Sequence, residues 1–198
     1  MYPYNFQVDG IGVMDPMCDE YFPNEGFKNS LLNIPAPQGS LIHDIKDVPH
    51  GTMEYVFYYS ESLGGTNTAL VYLPPTYKTH KDKKYPVFYL ISGTTDTEEV
   101  YYKVGKVNYI LDNLLAEGKA KEMVVVLPYG NPNKLLPELP QREMPATQFG
   151  GDVFSNDLTT DLMPFIESRY RTINDRESRA IGGFSRGGNQ ALSNGLHN

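Results

Sequence analysis

Gly183-Phe184-Ser185-Arg186-Gly187, followed by Gly188, forms a G-x-S-x-G pattern close to the C-terminal end of this 198-residue chain. A serine can attack a carbonyl carbon only if its Oγ stands clear of the backbone, and a sharp turn from strand into helix achieves this. Glycines two before and two after the serine let strand and helix meet there without colliding side chains. The helical sequence that follows, Asn189-Gln190-Ala191-Leu192, begins with free backbone N–H groups and a positive dipole end, which favour a developing oxyanion. Taken alone, the five residues also describe a glycine turn with a helix-capping serine. The strand-forming Arg179-Ala180-Ile181-Gly182 before them and the helix after them favour a nucleophile elbow, with Ser185 flanked by Gly183, Phe184, Gly187 and Gly188.

An oxyanion hole needs a second donor from across the sheet. Ile91-Ser92-Gly93-Thr94-Thr95 leaves a buried strand at the right topological place, so the backbone N–H groups of Thr94 and Arg186 could form the pair; a plain glycine turn accounts for the same residues. The acid and base that normally follow the serine in this fold, in the order Ser, Asp or Glu, His, are absent. No carboxylate side chain follows Ser185, and His197 lies on or just beyond the elbow helix, which carries it away from Oγ. His43, His50 and His80 precede the core strands or sit in early loops, so their use as base demands another fold order. No catalytic Asp or His is therefore assigned. The single cysteine, Cys18, excludes an internal disulfide and a cysteine-based metal cluster, and neither metal nor cofactor is expected.

The elements that must position the serine are legible as periodicities. Glu54–Ser60 and Thr68–Leu73 are aromatic and β-branched runs joined across Gly64-Gly65, an antiparallel hairpin. Val87–Ile91 and Met123–Leu127 are unbroken apolar runs of the kind buried on both faces of a parallel sheet. Between them Val104, Val107, Ile110, Leu111, Leu114 and Leu115 recur at helical spacing, with Gly118 placed as a left-handed C-terminal cap. Leu158, Leu162, Phe165, Ile166 and Tyr170 predict another helix, capped by Ser155 or Asn156 and bent at Pro164. Residues 129–152, rich in Pro, Gly and Asn, read as one wall of a cleft. The fold class is α/β, a mostly parallel sheet with an antiparallel hairpin at its N-terminal side.

Residues 1–37 differ. Tyr2, Tyr4, Phe6 and Val8 alternate with other residues, Asp9-Gly10 makes a turn, and Ile11 and Val13 resume the alternation, a β-hairpin without a domain around it. Asp15 to Pro37 reads as an irregular linker. The net charge of -7, with basic residues scattered singly or in short runs, argues against nucleic acid as a partner. No apolar run is long enough for a membrane span, and Met1-Tyr2-Pro3-Tyr4-Asn5 has neither the basic nor the apolar region of a signal peptide.

Several separated motifs, in order, carry a family resemblance. Val48-Pro49-His50-Gly51-Thr52, Val71-Tyr72-Leu73-Pro74-Pro75, Tyr85-Pro86-Val87, Leu111-Asp112-Asn113-Leu114, Val126-Leu127-Pro128-Tyr129-Gly130-Asn131, Asp161-Leu162-Met163-Pro164-Phe165-Ile166-Glu167 and the elbow resemble the esterase-D-like carbohydrate esterases. That family includes feruloyl and acetylxylan esterases with an α/β-hydrolase fold. The resemblance covers roughly residues 38–198, while residues 1–37 look like the closing strands of an immunoglobulin-like, carbohydrate-binding-module-type domain. It implies Ser185 as nucleophile, Arg186 and Thr94 as oxyanion donors, an ester linked to plant polysaccharide as substrate, and a secreted or periplasmic setting. The family's usual His-Gly start of the oxyanion loop is here Ser92-Gly93-Thr94-Thr95. The absent acid and histidine make the expected protein a two-domain esterase clipped at both ends and inactive as it stands. The alternative is a non-catalytic carbohydrate-binding or scaffold remnant using Tyr101, Tyr102, Tyr129 and Phe149 as aromatic surface; a hydrolase with a rearranged base is the third reading.

Overall fold

The computed structural model describes residues 1–37, 39–131 and 151–197. Its centre is a five-stranded sheet in the order β5-β6-β8-β7-β9, built from β5 (Thr52–Ser60), β6 (Gly65–Leu73), β7 (Val87–Ile91), β8 (Val124–Pro128) and β9 (Arg179–Gly183). β5 and β6 pair antiparallel from Thr52↔Leu73 to Ser60↔Gly65, and Gly64, with φ of 63°, makes the turn that residues with a Cβ avoid. β6 joins β8 antiparallel, whereas β7 runs parallel to both β8 and β9. The continuous apolar runs are the interior strands: every residue of β8 is buried, as is Ala69 to Leu73 of β6. On β5 the alternation of a one-sided strand holds, with Val56, Tyr58 and Ser60 buried and Tyr55, Phe57 and Tyr59 exposed.

Two apolar layers cover the sheet. On one face Val71, Tyr89 and Val126 pack with Phe154, Leu158, Leu162 and Ile166 from the helical stretch Gly151–Arg169. On the other, Leu70, Tyr72, Val125 and Leu127 pack with Tyr101 and Tyr102 of α1 (Val100–Lys103) and Val107 and Leu111 of α2 (Val107–Ala116). The helix expected from Val104 onward is thus two helices. Gly105 packs against the backbone of Tyr101 and Lys106 takes φ of 52°, so the chain turns sharply before α2 begins. Gly118 has the expected left-handed φ of 67°, and the N–H groups of Gly118 and Lys119 close the helix on the carbonyls of Leu115 and Leu114.

The second helical stretch starts earlier than its sequence suggests. α3 (Gly151–Asn156) leads into a π-helical segment, Asp157–Leu162, and then α4 (Met163–Arg169), so Asn156 is mid-helix rather than a cap. Two causes converge on the widened turn. Pro164 has no N–H to return to the preceding turn, and Asp157 is drawn inward, where Tyr58 Oη (2.8 Å) and Asn67 Nδ2 (3.1 Å) donate to Oδ2. Most of the expected cleft wall at 129–152 lies outside the described residues.

The N-terminal hairpin forms as β2 (Phe6–Val8) and β3 (Ile11–Val13), with Asp9 and Gly10 both at positive φ, the signature of a type I′ turn. β1 (Tyr2–Tyr4) does not continue into it. It pairs instead with β4 (Ser30–Leu32), inside the stretch read as irregular linker. That stretch also packs on the loop after β7, through an Asn24↔Asp96 bridge and hydrogen bonds from Glu25 N to Thr95 O (2.7 Å) and Thr97 N to Pro23 O (3.2 Å). The partners of β1 lie 26 to 30 residues away, so its local alternation does not tell which strand it pairs with.

Candidate active site

Ser185 stands at the junction of β9 and α5 (Arg186–His197), exposed, with φ of 54°. A left-handed conformation in a non-glycine residue costs of order 1–3 kcal/mol and persists only where its surroundings enforce it. Here they are the glycines. A Cβ on Gly183 would reach 2.5 Å from Gly187 O and 2.7 Å from Ile91 O, and one on Gly187 would lie 2.5 Å from Ser92 O. The elbow is therefore wedged backbone to backbone against the end of β7, and Phe184 N donates to Ile91 O at 3.1 Å. Gly188 is less confined, its nearest neighbour being Gly183 O at 3.2 Å. Phe184 projects outward, 69% exposed, with its ring edge over Gly93.

The loop after β7 is thus the elbow's immediate neighbour, and Thr94 lies exposed on it, directly after buried Gly93. The sequence assigned Arg186 a role through its backbone N–H alone. Its side chain is buried, only 6% of the residue being exposed, and Nη2 donates to Gly93 O at 3.0 Å. Burial pulls the guanidinium pKa down, opposed by nearby Tyr129, Glu25 and Asp96. Gly130 makes room for it, since a Cβ there would stand 3.3 Å from Nη2.

Around this arginine lie groups that sequence reasoning missed. Tyr129 Oη donates to Glu25 Oε1, and Asn131 Nδ2 donates to Glu25 Oε2 at 3.0 Å. Asn24, 4% exposed, donates through Nδ2 to Asp96 Oδ1 at 2.8 Å. Burial and the Glu25 carboxylate both push the Tyr129 hydroxyl pKa up. Tyr129 is buried, so it supplies no aromatic surface; Tyr101 and Tyr102 are half-buried in the core layer, and Phe149 lies outside the described residues. Tyr55, Phe57 and Tyr59 on β5 and Phe184 at the elbow are among the exposed aromatics.

Three of the four histidines, His50, His80 and His197, are engaged elsewhere. His197, on the last turn of α5, sits with Nδ1 2.8 Å from Ser193 O. His50 Nδ1 is 2.9 Å from Asp112 Oδ2, in a buried clamp whose carboxylate also accepts from Gly51 N (2.9 Å) and Tyr72 Oη (2.6 Å). His80 Nδ1 lies 3.1 Å from Thr79 Oγ1. Among the described residues no hydrogen bond joins Ser185 Oγ to any histidine.

Residues 60–198 match the family described as "Putative esterase". The chain is 34% identical over 188 residues to an endo-1,4-beta-xylanase/feruloyl esterase of Xylanibacter ruminicola, an alignment covering 93% of this chain and 25% of that protein. Among solved structures, a ferulic acid esterase of Anaeromyces mucronatus in complex with ferulic acid is 33% identical with a TM-score of 0.65, over 75% of this chain and 54% of the other. A feruloyl esterase module of Clostridium thermocellum complexed with sinapinate is 25% identical with a TM-score of 0.60, over 81% and 53%. The chain thus spans a quarter of that curated relative and about half of these solved chains. With residues 60–198 matched to that family and the sheet in agreement with an α/β fold, the chain belongs to this esterase family, carboxylic-ester hydrolases of the feruloyl esterase type with an α/β-hydrolase fold.

Proposed function

We propose that Ser185 is the nucleophile of a carboxylic-ester hydrolase acting on feruloyl or acetyl esters of plant polysaccharide such as xylan. One observation carries this: Ser185 takes a positive φ at the junction of β9 and α5, with Gly183 and Gly187 packed on the backbone of β7, the geometry that a nucleophile elbow requires. Ser185 Oγ attacks the ester carbonyl carbon while its proton passes to a base. The negative charge that forms on the carbonyl oxygen is held by the N–H groups of Arg186 and Thr94. Collapse expels the sugar hydroxyl, which takes up the proton, and water then releases the carboxylic acid from the acyl-serine by the same route.

No base or orienting acid is assigned among the described residues, and the chain covers about half of the solved relatives. Removal of the base from a serine hydrolase lowers the rate on the order of 10⁴- to 10⁶-fold. The names of the relatives support the substrate class, a xylanase/feruloyl esterase and ferulic acid esterases. The test is ferulate release from methyl ferulate, and p-nitrophenol release from its acetate ester, by three proteins: this chain, an extended chain comprising the full reading frame in which it occurs, and the extended chain with Ser185→Ala. Turnover in the extended chain that vanishes with Ser185→Ala is expected. Equal rates with and without Ser185 would overturn the reading.

A further inference from the structure

The loop Ser92–Thr97 has little of its own to hold it. Within it, Asp96 N to Gly93 O and Ser92 Oγ to Asp96 O are both long, at 3.3 Å, and the short bond from Thr95 Oγ1 to Thr94 O (2.6 Å) joins only adjacent residues. Its restraints come from outside, on two sides. From beneath, Arg186 Nη2 holds Gly93 O at 3.0 Å. From above, the Pro23–Glu25 segment lies along it like a strap: Glu25 N donates to Thr95 O, Asn24 Nδ2 donates to Asp96 Oδ1 at 2.8 Å, and Thr97 N donates to Pro23 O at 3.2 Å. The strap is itself stiffened, because Asn24 Oδ1 accepts from Gly26 N (2.7 Å) and Phe27 N (3.2 Å), and Glu25 is tied to Tyr129 and Asn131 beyond the end of β8.

These contacts have a geometric consequence for Thr94. Its N–H belongs to the same planar peptide unit as the Gly93 carbonyl, so fixing the direction of that C=O fixes the direction of the N–H opposite to it. The next carbonyl but one, Thr95 O, is fixed by the strap. We propose that Arg186, Asn24 and Glu25 are positioning residues that clamp the loop from both sides and so aim the Thr94 N–H at the carbonyl oxygen above Ser185. Arg186 thereby provides one oxyanion donor from its backbone and orients the other through its side chain. This rests on the assignment of Ser185 and Thr94 made above.

The test exchanges the two partners of one contact. Asn24→Asp sets two carboxylates against each other, while the double variant Asn24→Asp with Asp96→Asn restores the hydrogen bond in reverse. Loss of an oxyanion donor costs about 10²- to 10³-fold in kcat, so a donor left in place but loosely aimed is expected to cost about 10- to 100-fold, with KM changed less than about threefold. Turnover is read in the form of the protein that shows Ser185-dependent hydrolysis. A kcat within twofold of the parent for Asn24→Asp, or no recovery in the double variant, overturns the proposal. Arg186→Met, which keeps the backbone donor, is expected to show the same kcat loss and serves where Asn24→Asp does not fold. Hydrogen exchange on the 198-residue chain reads the clamp without turnover: the Thr97 amide is expected to exchange at least tenfold faster in Asn24→Asp, and unchanged exchange overturns the clamp. Should Ser185→Ala prove as active as the parent, the esterase assignment falls while exchange still decides the clamp.

Discussion

The wedge at the elbow makes a quantitative prediction, because four glycines of one neighbourhood differ in what an added methyl would meet. In Gly187→Ala the new carbon falls on Ile91 O and lies 2.5 Å from Ser92 O, and both obstacles are backbone atoms that cannot rotate away. Restoring even a 3.0 Å separation from Ser92 O requires a shift of about half an ångström between α5 and the end of β7. Overpacking of this kind costs about 1–3 kcal/mol, and the backbone character of the clash puts it at the upper end. For a chain of this size that lowers the thermal midpoint by roughly 5–10 °C. Gly183→Ala, confined by Gly187 and Ile91 O, should behave alike, and Gly188→Ala, with Gly183 O at 3.2 Å, should lose less. Gly195→Ala meets nothing nearer than Ile181 Cγ2 at 3.5 Å, and in a helix it should gain up to about 1 kcal/mol. Thermal unfolding followed by circular dichroism ranks the four. A Gly187→Ala midpoint within about 1 °C of that of Gly195→Ala would refute the wedge as the source of the Ser185 conformation.

Further outcomes follow from the buried polar groups. Asp112→Ala leaves Tyr72 Oη, Gly51 N and His50 Nδ1 without their shared acceptor and should cost about 3–5 kcal/mol in urea unfolding; a loss under about 1 kcal/mol would show that water replaces the carboxylate. Burial raises the Asp157 pKa in the folded chain, despite hydrogen bonds that lower it. A raised carboxyl pKa favours folding while the group is protonated, so this stabilisation is lost as pH rises from the unfolded value, about 3.9, through the folded one. Asp157→Asn escapes that loss, and its stability relative to the parent should improve between pH 4 and pH 7. A difference that does not change with pH would contradict the sign. Ser185→Ala and the Asn24 exchange, described above, complete the set.

The sequence alone determined the parts of this protein whose cause is local. Alternation in β5, unbroken apolar runs in β7 and β8, and the glycine spacing around Ser185 each encode a structure in a few neighbouring residues, because burial on one or both faces and left-handed turns act at that range. Two of the helix readings missed detail for a related reason: Gly105 packed on Tyr101, and Asp157 drawn toward Tyr58 and Asn67, shift element boundaries through contacts that periodicity does not contain. Only the tertiary structure decided what surrounds the serine. Pro23–Glu25, which reads as linker, lies across the Ser92–Thr97 loop, and Arg186 turns its side chain inward to the Gly93 carbonyl. Those interactions join residues 70 to more than 90 positions apart, and each consists of one or two hydrogen bonds, whose pattern in sequence is no different from that of any polar surface residue.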